Sequence, residues 1–185
     1  MPFDFKKLSL PEVILITPKV FGDNRGFFTE NYKRSDFEKA GIGESFCQDN
    51  ISRSAKGVIR ALHFQQDPHA QGKLVQCLRG KVIDVAVDIR RGSPRFGQWA
   101  AEVLDEESRK MLYVPPGFAH GYGVLSDMAE VNYKVTSEYA PQAERGILYS
   151  DPAIGVPWGI EVPVLSAKDL VLPPLAQADI NYRFK

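Results

Sequence analysis

The feature that most constrains this chain is a succession of short strand signals with almost no helix between them. Ten runs rich in β-branched and aromatic residues follow one another: 12–17, 26–32, 45–52, 57–65, 72–78, 81–89, 98–104, 110–115, 119–125 and 129–139. Glycine and proline punctuate them at "RGSP", "PPG" and "YAP". One helix signal stands among them. "SDFEKAG" offers Ser35 as N-cap, Glu38 three residues on, and Gly41 as the stop. In 81–89, Ile83, Val85, Val87 and Ile89 alternate with Asp84 and Asp88, which the pattern places on a solvated face without a role. Many short strands and few helices predict an all-β sandwich or barrel.

At 185 residues the chain is expected to form one domain over 1–185, with a loosely patterned tail from about 166 to 185. The formal net charge is zero, which argues against a global pull toward nucleic acid or acidic membrane. An anionic ligand must be gripped locally. "MPFDFKKLSL" lacks the apolar core of a secretory signal, and no run nears the roughly 20 apolar residues of a membrane helix. A cytoplasmic setting follows, with Cys47 and Cys77 as buried free thiols in apolar strand-like runs.

Three histidines are available. His69 lies in a polar turn, "QDPHAQG", and reads as surface. His63 lies in "GVIRALHFQ", an apolar strand where an imidazole and Arg60 are out of place unless the strand lines a pocket. His120 ends Pro115-Pro116-Gly117-Phe118-Ala119-His120, which resembles the second motif of the cupin barrels, PxGxxH. The first cupin motif is altered. His63-Phe64-Gln65 stands for HxH, and Lys73 stands where an acidic ligand precedes Gly80. A lysine against a divalent ion, with at most two imidazoles, does not make a metal site. The resemblance therefore implies a cupin-type double-stranded β-helix, a jelly-roll barrel with a few short helices, and no metal. A histidine and a lysine in its mouth suit acid–base chemistry with an oxyanion to hold.

The resemblance narrows when the motifs are taken in order. "FGDNRGFFTENY", "FCQDNISRS", "GVIRALHFQ", "QGKLVQCLRGKVIDVAVDIR", "SPRFGQW", "VPPGFAHGY", "VNYKVTSEYAP", "ERGI" and "SAKDL" resemble the dTDP-4-dehydrorhamnose 3,5-epimerase family over roughly 12–172. That family inverts C3 and C5 of a dTDP-linked 4-keto-6-deoxyhexose, in dTDP-L-rhamnose biosynthesis, without a cofactor. The resemblance implies His63 as base, Asp169 hydrogen-bonded to its second ring nitrogen, Lys73 facing the C4 oxygen, and Tyr133 as the opposing acid. Tyr133 alternates with Val131 and Val135, so it shares their inward face. Arg25, Gln48 and Arg60 match the family's diphosphate positions, and Asn50 shares a face with Gln48. Tyr139 would stack the thymine, on the face of Tyr133 if the strand runs on. Glu30, Glu144 and Lys168 would line the substrate site, with His120 near sugar and phosphate. Arg60 and His63 are three apart and need a bulge near Ala61, or else Arg60 serves another part of the pocket.

Other readings stay open on sequence. A 3- or 5-mono-epimerase would keep the same base and lysine. A metal-dependent cupin dioxygenase is opposed by Lys73 and Gln65. A non-catalytic nucleotide-sugar-binding cupin would need no His–Asp pair facing a tyrosine. The resemblance also implies a homodimer exchanging N-terminal strands, which leaves Arg25 and Glu30 either in their own site or in the partner's.

Overall fold

The computed structural model describes residues 2–184. Its strands are β1 (Phe3–Lys7), β2 (Ile14–Pro18), β3 (Val20–Asp23), β4 (Gly26–Thr29), β5 (Gln48–Ala55), β6 (Ile59–Gln65), β7 (Lys73–Arg79), β8 (Lys81–Asp88), β9 (Trp99–Asp105), β10 (Met111–Val114), β11 (Phe118–Val124), β12 (Met128–Val135) and β13 (Glu144–Gly146). One α-helix, α1 (Arg34–Lys39), lies between β4 and β5. All ten expected runs overlap a strand. The short β1, β3 and β13 complete the set.

Two antiparallel sheets face each other. One has the order β1-β2-β10-β7-β12-β5, the other β13-β6-β11-β8-β9. From β5 to β13 almost every strand crosses to the opposite sheet, the winding of a jelly roll. Hence the expected all-β, cupin-type barrel is what forms. Three apolar layers hold it. Leu15, Val75, Val82, Leu112, Phe118 and Val131 fill the space between the sheets. Ile14, Ile16, Leu74 and Met111 face outward from the six-stranded sheet and are covered by α1 through Phe37. Val85, Val87 and Ile89 face outward from the other sheet and are covered by Ile147, Trp158 and Leu175.

This layering overturns the expectation for β8. Asp84 and Asp88 are not solvated; both are fully buried. The valines lie under the C-terminal segment, so the aspartates point into the barrel beside Val82 and Ala86. Asp88 is the last residue of β8. Burial alone would raise its pKa, but Arg90 and Ser93, at 2.7 and 2.6 Å from Oδ2, outweigh that and lower it.

The helix cap also differs. Arg34 already lies within α1, and the cap residue is Lys33, with no side-chain bond. Phe37, fully buried against Phe3, Phe5 and Tyr32, sets the phase of the helix instead of Ser35. Glu38 pairs with Arg34 at 3.0 Å. The stop is as read: Gly41 has φ of 92°, and Gly41 N and Ile42 N donate to Glu38 O and Phe37 O. Both cysteines are free, but Cys47 is exposed, at the end of the sheet beside Val135. His69 is half-buried in its turn. Among the described residues no helix is long and apolar enough to cross a membrane.

Candidate active site

A cavity of about 500 Å³ opens between the two sheets, in the size range of small-molecule sites. The five-stranded sheet contributes Arg60 and His63 from β6 and His120 and Tyr122 from β11. The facing sheet contributes Ser52, Lys73 and Tyr133. The rim is built by Tyr139, Glu144, Lys168 and Asp169.

The problem of Arg60 and His63 is resolved by a bulge. His120 pairs with His63, and Tyr122 pairs with Arg60, so two steps on β11 match three on β6. The extra residue resets the alternation and brings both side chains to the cavity. Gly121 makes room: a Cβ there would lie 2.4 Å from Ala61 Cβ.

His63 Nε2 lies 3.0 Å from Asp169 Oδ1. Asp169 opens a 3-10 turn, Asp169–Val171, where its N–H donates to Ser166 Oγ at 3.1 Å. The other ring nitrogen, Nδ1, is enclosed and has no protein partner. Beside it, His120 Nε2 lies 3.0 Å from both oxygens of Asp84. Asp84 is the buried partner of a cavity-lining histidine that reading by alternation missed. The signal was present: a carboxylate in a strand with apolar residues on both faces must be buried and must find a partner.

Lys73 is buried, and its Nζ donates to His63 O at 3.4 Å. Burial lowers its pKa to about 8, against the opposing pull of Asp84 and Glu144. Burial raises the pKa of Tyr133, with Tyr122 adding to it, so Tyr133 stands as a protonated phenol. Glu144 is held below the usual carboxylate range. Burial would raise it, but Lys168 at 2.6 Å and the Tyr139 hydroxyl at 2.7 Å prevail.

Tyr139 reaches the rim by a different route from the one expected. β12 ends at Val135, and a loop rather than a continuing strand carries Tyr139 to the cavity. Four expected residues do not line this cavity. Arg25, at the tip of the β3–β4 hairpin, pairs with Asp23. Glu30 follows β4, half-buried. Gln48 donates to Asn50 Oδ1 at 2.8 Å and accepts from Tyr139 N at 2.9 Å. Among the described residues no three His, Cys, Asp or Glu side chains are grouped to hold a metal. The donor set does not fit one, since Lys73 adjoins the two histidines and Gln65 bonds backbone.

A family model described as dTDP-4-dehydrorhamnose 3,5-epimerase matches residues 7–177. The enzyme of that name from Salmonella typhimurium is 51% identical over 174 residues, 93% of this chain and 95% of that one. The crystal structure of the 3,5-epimerase from Legionella pneumophila Philadelphia 1, in complex with dTDP-4-keto-L-rhamnose, superposes with a TM-score of 0.94 at 43% identity. It covers 99% of each chain. A 3′-monoepimerase from Streptomyces bikiniensis, in complex with dTDP-quinovose, has a TM-score of 0.86 at 33% identity, covering 91% of this chain and 86% of that one.

Proposed function

The chain belongs to the dTDP-4-dehydrorhamnose 3,5-epimerase family, and from that premise we propose how its cavity inverts the two carbons beside a C4 ketone. It is an epimerase, converting dTDP-4-keto-6-deoxyglucose to dTDP-4-keto-L-rhamnose. His63 takes the proton from C3 and C5 in turn, each acidified by the ketone. The electron pair moves onto the C4 oxygen, where the Lys73 ammonium stabilises it. Tyr133 returns a proton from the opposite wall, the oxygen's charge collapses back to the ketone, and between the two inversions His63 gives its proton to solvent while Tyr133 regains one. A proton leaves one face and another enters the other face, so the oxidation state is unchanged and no redox cofactor is needed. Asp169 holds the tautomer of His63.

The observation that carries this reading is the placement of His63 and Tyr133 on facing sheets of one cavity, with Lys73 beside them. Inversion needs base and acid on opposite faces of the ring, and a simple binding module does not. Arg60, His120, Lys168 and Glu144 hold the phosphates and sugar, and Tyr139 takes the thymine ring on its face.

The whole chain works as one unit, residues 1–185, in the cytoplasm and as a homodimer. The β3–β4 hairpin supports the dimer, since Phe21, Phe27 and Phe28 are each more than half exposed. In the pair, Arg25, Glu30, Gln48 and Asn50 serve nucleotide binding, with Arg25 and Glu30 reaching the neighbour's cavity. Light scattering after gel filtration tests this: wild type elutes as a dimer, Phe28→Asp as a monomer. A wild-type monomer ends the exchange idea.

The 3′-monoepimerase relative keeps the fold at 33% identity, so a single inversion is the second reading. Borohydride trapping and hydrolysis of the reaction mixture separate the two. L-Rhamnose and 6-deoxy-L-talose mark double inversion. 6-Deoxyallose and 6-deoxygulose mark inversion at C3 alone. Quinovose and fucose only would mean no epimerisation.

A further inference from the structure

Gln65 occupies the place of the second histidine in the altered cupin motif, and the proposed chemistry leaves it without a task. It is buried at 6% exposure, so its amide must be satisfied internally. Its Nε2 donates to His69 O at 2.7 Å and Glu138 O at 3.3 Å, and its Oε1 accepts from Ala140 N at 2.8 Å. All three partners are backbone. Both donors of Gln65 are therefore spent on backbone, and its Oε1 already accepts one bond.

The backbone it holds is the segment that carries Tyr139. After β12 ends, residues 137–140 leave the sheet ladder. Their peptide groups are instead met by three glutamines. Gln71 Nε2 donates to Ser137 O at 2.7 Å, Gln65 holds Glu138 O and Ala140 N, and Gln48 Oε1 accepts from Tyr139 N at 2.9 Å. Gln48 lies on β5 and Gln65 on β6, in opposite sheets. The segment is thus gripped from both walls. Tyr139 itself is 53% exposed, so packing alone does not fix it. A half-exposed aromatic binds a flat ligand well only if its backbone is already in place.

We infer that Gln65, with Gln48 and Gln71, is a positioning residue that fixes the loop of Tyr139 and so sets affinity for the nucleotide end of the substrate. This rests on the reading that Tyr139 takes the base. A double-mutant cycle with dTDP as the calorimetric probe tests it. Gln65→Ala should raise the Kd for dTDP about tenfold, the scale set by losing bonds that order one loop. The KM for the sugar nucleotide should rise with it, while kcat stays within about threefold. In a Tyr139→Ala background, Gln65→Ala should change the Kd less than about twofold. If the alanine variant does not fold, Gln65→Glu keeps the acceptor for Ala140 N, removes both donations, and is subject to the same cycle.

An unchanged Kd in the single variant overturns the inference. So does an equal further loss in the Tyr139→Ala background, because Gln65 would then act by general stability. Tyr139→Ala without any effect on the Kd removes the base-stacking reading, and the inference falls with it.

Discussion

Two histidine–carboxylate pairs stand side by side on β6 and β11, with the same 3.0 Å contact, yet they are built differently. In the His120–Asp84 pair both side chains belong to the barrel wall, exposed by only 8% and 0%. In the His63–Asp169 pair the histidine is 26% exposed, and the carboxylate comes from a 3-10 turn beyond the last barrel strand. His63 also keeps a ring nitrogen without a protein partner. The contrast teaches that the contact alone does not make a base. What differs is the exposure of the ring to the cavity and the element that supplies its carboxylate. On this account the first pair is a fixed wall element whose charge acts on Lys73, and the second does the proton transfer.

The largest expected effect comes from the lysine beside both pairs. Lys73→Met should lower kcat by roughly 10³, the scale of losing an oxyanion donor. Its melting temperature should hold or rise, because a buried cation is removed. Next is Asp169→Asn, which should lower kcat about a hundredfold by releasing the tautomer of His63. Asp84→Asn should lower it only about tenfold, since its contact is to a neighbour of the chemistry. Equal losses from the two substitutions, in steady-state assays, would erase the distinction between the pairs.

The smallest and sharpest effect concerns pH. Burial holds the pKa of Lys73 near 8, so it is a cation below that pH and neutral above. kcat/KM should therefore fall as pH rises through about 8. Asp84 supports the cation, so Asp84→Asn should move that alkaline limb to lower pH, and Asp169→Asn should leave it in place. For stability the sign is opposite. A lysine with a depressed folded-state pKa disfavours folding while charged, and that penalty is relieved as pH rises from about 8 toward 10.5. Lys73→Arg should flatten the limb.

Much of this was legible beforehand because strand signals are local. The ten runs and the glycine that ends α1 needed no tertiary knowledge. The contact of His63 with Asp169 was reachable only through the family resemblance, since more than a hundred positions separate them in the chain. The misses share a cause. Asp84 and Asp88 alternate with valines as on a half-solvated strand, but the C-terminal segment covers the valine face and sends the acids inward. Ser35 had the chemistry of a cap, yet burial of Phe37 fixed the helix cap two residues earlier, at Lys33. The loop of Tyr139 was read as strand because the glutamines that hold it lie far away in sequence, on β5, on β6 and just before β7.

The most direct test of the central claim is proton NMR of dTDP-4-keto-6-deoxyglucose in deuterated buffer, with wild type, His63→Ala and His120→Ala. Wild type should wash out the protons at both C3 and C5. His63→Ala should abolish both exchanges, and His120→Ala should retain them at reduced rate. Exchange that survives loss of His63 but not of His120 would contradict the account and move the base to the other pair.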